Sequence, residues 1–338
     1  MNKEILKRYL TYVLIGIGLA LLPTLQGMGL IMTSTVTFWG LIIMYAIVAL
    51  GLNVLLGYSG LVSLGTAGFM GVGAYMAAYL TETGIWPFSD GWPFFLSLIV
   101  SIIVPTAAGL LVGLVSLRVS GMYLAIATLA VSEILRRGMF VEFTAFTGSF
   151  QGSRAGFAVI FGNVLDRDST IIFLAVILVI LLILTDNFVH SPVGRALLTM
   201  RASEPAAQAM GINLLKYKLM AFGLATAYAA LGGVLYAHFV RFVFPTDWDL
   251  MLSLQMVAVI VIGGTKTILG PIIGSIIVFG VPNIILSQLP IIGDIDGLSF
   301  VFNGVLIIVV ILFYPNGLIY IGHDIKKLFR KKAVASDE

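Results

Sequence analysis

The sequence predicts an all-α, polytopic membrane helix bundle of about ten crossings. Of its 338 residues, 59% are hydrophobic and only 10% are charged, whereas a soluble globular domain carries about 25% charged residues. A surface this apolar must face lipid rather than water. The long apolar runs do not alternate apolar and polar positions as the strands of an outer-membrane barrel do. Each crossing is therefore predicted to be a helix, which satisfies its own backbone hydrogen bonds.

Ten apolar runs are the candidate crossings, each bounded by polar residues or by Pro and Gly: 9–27, 36–57, 60–80, 93–117, 119–140, 169–189, 215–240, 250–264, 268–288 and 298–315. The first run is longer than a signal-peptide core of about 7–15 residues. It is interpreted as an uncleaved crossing, with a cleaved signal as the alternative. The run at 250–264 is short for a full crossing, and a half-helix that turns back near Gly263–Lys266 is the alternative there.

Basic residues are distributed asymmetrically between the two sides of the predicted bundle. If the N-terminus is cytoplasmic and the crossings alternate, the cytoplasmic side holds 14 of the 19 Lys and Arg residues: Lys3, Lys7, Arg8, Arg118, Arg195, Arg201, Lys216, Lys218, Lys266, Lys326, Lys327, Arg330, Lys331 and Lys332. This asymmetry follows the positive-inside rule and predicts that both termini are cytoplasmic. It also explains the net charge of +3 without a nucleic-acid partner.

Residues for catalysis, cofactor binding or metal binding are not found in the sequence. There is no Cys, and His190, His238 and His323 are scattered singly. No GxxxxGK[ST], GxGxxG or HExxH motif is present. We therefore expect no enzyme, no cofactor bound by this chain and no metal site, and the chain shows no means of hydrolysing ATP itself.

Five residues are candidates for a translocation pathway: Asn53, Ser59, Gly60, Ser63 and Glu133. The first four lie in or beside a run of small residues at 57–68. Composition favours tight helix packing there, and a broken helix that lines a substrate path is the alternative. Glu133 precedes Arg136 and Arg137 by one helical turn. It is interpreted either as an ion pair near the outer end of a span or as a charge that faces a polar cavity.

Two polar segments connect predicted crossings. The outer segment 143–168 is interpreted as a solvated loop or as a docking loop at the mouth of the pathway. On the cytoplasmic side, Ser203 is a suitable N-cap, Glu204 and Pro205 suit a first helical turn, and Gly211 suits a helix end. They predict a two-turn helix about 10 Å long. This helix is either a linker on the membrane surface or a coupling helix that inserts into a groove of a cytoplasmic motor subunit.

Several blocks of the sequence resemble the permeases of bacterial branched-chain amino acid importers, and the longer of their two permease types most closely. The blocks are 49–60 (ALGLNVLLGYSG), 63–65 (SLG), 191–196 (SPVGRA), 209–213 (AMGIN), 217–222 (YKLMAF) and 263–264 (GG) with 269–274 (LGPIIG). Two features depart from the family pattern. The run 151–156 (QGSRAG) replaces a Thr-Gly-Gly-Ser-x-Gly run, and Pro205 stands where relatives often carry a charged or polar residue.

The resemblance implies that 1–338 form one transmembrane permease domain of an ABC importer in the bacterial plasma (inner) membrane. It implies a second, homologous permease subunit, two cytoplasmic ATPase subunits that bind ATP, and a periplasmic or lipid-tethered binding protein as partners. Segment 203–211 would be the cytoplasmic coupling helix and 316–338 a cytoplasmic basic tail. The coupling residues would be Ser203, Glu204, Ala206, Ala207 and Gly211, with a spacing one residue longer than usual.

The function implied is uptake of branched-chain or other apolar amino acids by alternating access. Uptake of urea or short amides is the alternative within the same class. An ion-coupled secondary transporter is the alternative from another class, but it usually places ionisable residues near the midplane, and only Glu133 would serve. A passive channel is disfavoured because no repeated filter sequence is present.

Overall fold

The computed structural model describes residues 3–29, 32–83, 91–116, 121–160, 163–282, 298–314 and 317–320, and these are largely helical, which confirms the predicted all-α membrane bundle. The helices are α1 Lys3–Ala20, α2 Leu22–Gly27, α3 Thr33–Asn53, α4 Thr66–Glu82, α5 Phe94–Ser116, α6 Met122–Ile134, α7 Phe140–Glu142, α8 Thr144–Thr147, α9 Arg167–His190, α10 Pro192–Ala202, α11 Glu204–Ala209, α12 Leu214–Val240, α13 Leu250–Gly263, α14 Gly270–Ser275 and α15 Leu298–Phe313. Three π-helical turns extend helices: Val54–Tyr58 after α3, Leu135–Met139 after α6 and Ile276–Gly280 after α14.

Every predicted crossing contains a helix. Five helical segments in the described chain are long and apolar enough to span a membrane: Ile5–Gly27, Ser34–Tyr58, Phe94–Ser116, Arg167–His190 and Leu214–Val240. The predicted crossing at 60–80 begins too early, because the chain from Ser59 to Gly65 is not helical and α4 starts at Thr66. Parts of the predicted crossings at 93–117, 119–140, 268–288 and 298–315, and most of the basic tail 316–338, lie outside the described residues.

Helix α12 is the central element of the bundle and packs against α3, α4 and α5. Its approach to α4 is so close that backbone meets backbone: a Cβ on Gly233 would overlap the carbonyl oxygen of Met70, and one on Gly73 would overlap that of Ala230. Small residues permit this spacing, and membrane helices associate largely through such packing. Within the run of small residues at 57–68, Gly68 on α4 also packs closely, since a Cβ there would lie 2.8 Å from the Cα of Ser132, as the packing interpretation predicts.

The start of α1 and the end of α9 meet at one end of the bundle, since Arg8 lies 3.4 Å from Asp186 and Tyr9 donates a 2.6 Å hydrogen bond to Asn187. Helices α10 and α11 follow α9 directly, and we call this the basic end. At the opposite end, the outer segment is more structured than a simple solvated loop. Strand β1 (Ser153–Arg154) pairs antiparallel with β4 (Phe242–Val243), which follows α12. Strand β2 (Val159–Ile160) pairs with β3 (Asn163–Val164).

The turn between α12 and α13 is held at the opposite end by Asp247. Its carboxylate accepts a 3.1 Å hydrogen bond from the backbone N–H of Phe244 and a 3.4 Å bond from the hydroxyl of Tyr236. Burial is the main cause that raises the pKa of Asp247, and the neighbouring Asp249 also raises it. The two hydrogen bonds lower the pKa, but the net pKa remains above the ordinary value. The turn is a 3-10 helix, Pro245–Trp248, in which Trp248 is buried.

Candidate functional site

The first helix interruption follows α3. The helix widens into the π turn Val54–Tyr58, in which the Ser59 hydroxyl donates to the carbonyl of Leu55, four residues earlier. Gly60 then adopts a φ of 74°, a left-handed conformation that costs glycine little. The chain stays non-helical until Thr66. The helix is therefore broken at Ser59–Gly65, where composition alone favoured continuous packing, and the lining of a substrate path by this break stays a prediction.

The second interruption follows α13, which ends at Gly263. Positive φ angles at Gly264 (116°) and Lys266 (65°) turn the chain back into α14. Helix α13 has 14 residues, about 21 Å of rise against about 30 Å of hydrocarbon. A Cβ on Gly263 would overlap the carbonyl of Gly270, so the two helices approach with their backbones in contact. The predicted turn near Gly263–Lys266 is confirmed.

The two interruptions are hydrogen-bonded to each other. Asn53 Nδ2 donates to the carbonyl of Thr267 at 2.8 Å, and the Tyr58 hydroxyl donates to the carbonyl of Lys266 at 2.7 Å. Gly57 faces the same turn, and a Cβ there would lie 2.9 Å from the amide nitrogen of Lys266. Broken helices expose carbonyls that need partners away from water, and these side chains supply them. Of the predicted pathway residues, Asn53 directly joins the two breaks.

Hydroxyl groups from other helices satisfy the freed N–H groups at the start of α4. Thr128 of α6 accepts a 3.0 Å bond from the N–H of Leu64, and Ser253 of α13 accepts a 3.1 Å bond from the N–H of Ala67. Ser63 accepts from Gly65 at 3.3 Å. Thr128 and Ser253 are fully buried. The positive end of the α4 dipole therefore lies inside the protein, among hydroxyl groups.

A small cavity of about 10 Å³ lies beside this helix start. Ser63, Thr66 and Thr226 are its hydroxyl-bearing lining residues, and the rest of its wall includes Phe69 and Phe222. Such a volume holds about one water molecule. The space at Ser63 is therefore closed to any larger solute in this conformation.

Glu133 lies apart from the interruptions, in an ion-paired cluster on α6. Its carboxylate lies 2.9 Å from Arg136 Nη2 and 2.9 Å from Arg137 Nε, and its side chain is 29% exposed. It does not line the cavity at Ser63. These distances agree with the interpretation of Glu133 as part of an ion pair. A role of Glu133 in a pathway stays a prediction.

The predicted two-turn helix at 203–211 is present as α11. Ser203 caps it by accepting the N–H of Ala206 at 3.3 Å. It ends with a 3.0 Å bond from the N–H of Ile212 to the carbonyl of Ala207 around Gly211, whose φ is 79°. Ala207 is fully buried, whereas the other residues of α11 are exposed.

An ion pair of 2.7 Å between Glu204 Oε1 and Lys218 Nζ ties α11 to α12. The Lys218 side chain is 10% exposed and that of Glu204 is 46% exposed. The contact therefore joins an exposed short helix to the central helix of the bundle. Among the predicted coupling residues, Glu204 and Ala207 anchor α11, while Ser203 and Gly211 define its two ends.

Sequence reasoning missed the residues that hold the interruptions together, and also Asp186. Thr128 and Ser253 are single hydroxyls within apolar spans, which commonly bond to neighbouring helices. Asp186 is an acidic residue within an apolar run, which is itself a signal. Its carboxylate is 5% exposed and contacts Arg8. Among the described residues, no group of three or more His, Cys, Asp or Glu is placed to hold a metal ion.

This fold, with its paired helix interruptions and exposed short helix, is that of a polytopic membrane protein. The chain belongs to the family described as branched-chain amino acid transport system / permease component, whose model matches residues 34–313.

Two relatives are high-affinity branched-chain amino acid transport system permease proteins named LivM, from Salmonella typhimurium and Escherichia coli. Each is 30% identical to this chain over 294 residues, which cover 80% of this chain. The chain spans 66% of the length of these relatives. No solved structure is significantly similar to it.

Proposed function

We propose that this chain is the membrane-spanning permease subunit of an ABC importer that moves branched-chain or other apolar amino acids into the cytoplasm. Its relatives are named as permease proteins of branched-chain amino acid transport systems. The observation that carries the proposal is the hydrogen-bonded pair of helix interruptions. Discontinuous helices present backbone dipoles to a buried path, and a zwitterion needs such dipoles because the path offers few buried charges.

The closed space at Ser63 supports the proposal of alternating access. A cavity with room for about one water cannot hold an amino acid, so α4 and the helices around it must separate for a substrate to pass. The groups that line this space, Ser63, Thr66 and Thr226, are hydroxyls rather than charges. They suit weak and transient contact with a zwitterion, while a separate binding protein supplies affinity.

Helix α11 is the proposed coupling helix to the ATPase subunits. Its exposed surface is free to enter a groove of a partner, and the Glu204–Lys218 ion pair transmits its displacement to α12. Because α12 packs against α3, α4 and α5, a push on α11 moves the helices that border the closed space.

The basic end is proposed to face the cytoplasm of the bacterial inner membrane, with both termini on that side. The ATPase subunits then dock at α11. The opposite end, with its paired strands, faces the periplasmic or lipid-tethered binding protein. A second, homologous permease subunit completes the membrane-spanning part.

Site-directed cross-linking in the assembled importer tests the coupling assignment. The sequence has no Cys, so Gln208→Cys introduces a single thiol on the exposed surface of α11. Thr246→Cys is the matched control, because it is also exposed but lies at the opposite end. We expect a cross-link to an ATPase subunit from Gln208→Cys alone. An ATPase cross-link from Thr246→Cys, or none from Gln208→Cys, would contradict the proposal.

A further inference from the structure

Two cavities border α1, and each also borders the segment 266–276, which leads into and includes α14. The first lies at the basic end and has a volume of about 650 Å³. The second has a volume of about 360 Å³, and its lining residues lie later in α1 and in the segment 266–276 than those of the first. Neither the proposed transport path nor the coupling helix accounts for them.

The first cavity carries an excess of positive charge. Three permanent cations line it, Arg8, Arg195 and Lys266, and Asp186 is its single carboxylate. Arg8 lies 3.4 Å from Asp186, so this acid is already compensated. Among the described residues, the Arg195 guanidinium donates a 3.2 Å hydrogen bond to the backbone carbonyl of His190, and neither Arg195 nor Lys266 forms an ion pair. Within the described part of the chain, the charges of Arg195 and Lys266 therefore have no acidic partner at this cavity.

His190 also lines this cavity, and both of its ring nitrogens are engaged within the protein. Its Nε2 accepts a 2.9 Å bond from Arg8, since a guanidinium can only donate. This places the ring proton on Nδ1, which lies 2.8 Å from the carbonyl of Asp186. The hydroxyls of Thr11, Tyr12 and Tyr58 also line the cavity, and each already donates its proton within the protein, to the Lys7 carbonyl, to Asp186 and to the Lys266 carbonyl.

The second cavity is apolar. Its lining comes from α1, α2, α3, α9, α14 and the π turn that follows α14, and includes Ile15, Leu22, Trp39, Ile272 and Ile276. Gly18 also lines it, and a Cβ at this position would meet nothing within 4 Å. The cavity therefore has unfilled space beside the backbone of α1.

The two cavities follow one another along a single face of α1 and α2, and we treat them together as one amphipathic groove. Its lining residues recur every three or four positions on a single face of α1 and α2, namely Arg8, Thr11, Tyr12, Ile15, Gly18, Leu19 and Leu22. On the α14 side, Ile268, Leu269, Ile272 and Ile276 recur in the same way. From Arg8 to Leu22 the groove rises about 21 Å, which matches about half of a 40–45 Å bilayer with its headgroups.

We propose that this groove binds one anionic phospholipid of the leaflet at the basic end. The phosphate occupies the cationic cavity beside Arg195 and Lys266, and an acyl chain lies along the apolar cavity past Gly18. The positive charge of the first cavity favours an anionic headgroup over a neutral one. The groove is about as long as one leaflet is deep, which fits a lipid with its acyl chain rather than a free phosphate. Because Tyr58 and Lys266 both line the headgroup cavity, the lipid touches the contact between the two helix interruptions.

Native mass spectrometry of the purified chain tests this proposal with phosphatidylglycerol and with phosphatidylcholine of the same acyl chains. We expect one phosphatidylglycerol to bind in preference to phosphatidylcholine. Lys266→Gln should weaken phosphatidylglycerol binding about five-fold, and Lys266→Gln combined with Arg195→Gln about 25-fold. Lys216→Gln removes an exposed cation outside the groove and should change binding little. Equal binding of both lipids, or equal weakening by Lys216→Gln, would overturn the proposal.

Filling the apolar part tests the acyl chain separately. Gly18→Phe places a ring into the empty space, and we expect it to prevent phosphatidylglycerol binding while the protein stays folded. Gly27→Phe is the matched control, because Gly27 is also free of contacts but lies outside the groove. Unchanged binding in Gly18→Phe would overturn the proposal. Inorganic phosphate should fail to displace the lipid, and displacement by phosphate alone would show an anion site instead.

Discussion

The hydroxyl of Tyr58 donates a 2.7 Å hydrogen bond to the backbone carbonyl of Lys266, 208 positions later in the chain. The bond joins the π turn after α3 to the turn between α13 and α14. Asn53 makes a parallel contact to Thr267 at 2.8 Å. The two helix interruptions are therefore one structural unit, and its integrity is measurable.

Replacing Tyr58 with Phe removes this bond and keeps the ring. We expect the free energy of unfolding to fall by about 1 kcal/mol, the usual net value of one hydrogen bond. Thermal unfolding of the purified protein measures the change. Tyr123→Phe on α6 is the control, since Tyr123 is 71% exposed. Equal thermal midpoints for Tyr58→Phe and the control would show that the contact does not stabilise the protein.

Gly233→Ala should disrupt the packing of α12 on α4. The added methyl overlaps the carbonyl of Met70, which belongs to backbone and cannot move aside alone. We expect a loss of about 1–3 kcal/mol in unfolding free energy, as for other overpacked interiors. Gly27→Ala is the matched control because nothing lies within 4 Å of its Cβ. A Gly233→Ala protein as stable as Gly27→Ala would contradict the close approach of the two backbones.

Gly211→Val should uncouple ATP hydrolysis from transport. Gly211 has a φ of 79° at the end of α11, and L-residues pay about 1–2 kcal/mol there, with a larger cost for a β-branched side chain. The exit of α11 is then distorted, while its contacts in the membrane are untouched. The ratio of ATPase activity to uptake measures the effect. Gly211→Asn tolerates this backbone conformation and should retain coupling, and equal coupling in both variants would contradict the assignment.

The raised pKa of Asp247 makes stability depend on pH. Folding favours the protonated form of a buried carboxyl, so the wild-type protein gains stability as pH falls from the raised folded pKa towards the unfolded value of about 3.9. Asp247→Asn carries no titrating group, and this contribution is lost. Thermal midpoints of both proteins across this pH range test the sign. The thermal midpoint of Asp247→Asn relative to that of the wild-type protein should increase as pH rises. The reverse trend would contradict the burial of the charge.

Local signals predicted much of this architecture. Hydropathy located the crossings because lipid imposes the same requirement on every one. Ser203 and Gly211 marked the ends of α11 because capping depends only on neighbouring residues. The contact of Tyr58 with Lys266 was not predictable, since it depends on tertiary packing between distant segments. The pairing of Arg8 with Asp186 escaped detection for the same reason, although Asp186 itself was a visible polar residue in an apolar run.

The central claim is that this chain moves amino acids under the control of ATP. Uptake of radiolabelled leucine into proteoliposomes tests it most directly, with the companion permease, the ATPase subunits and the binding protein present. We expect leucine to accumulate only when ATP is available to the ATPase subunits. ATP-dependent uptake of urea in place of leucine would keep the class and contradict the substrate. Accumulation that follows an ion gradient and ignores ATP would contradict the account as a whole.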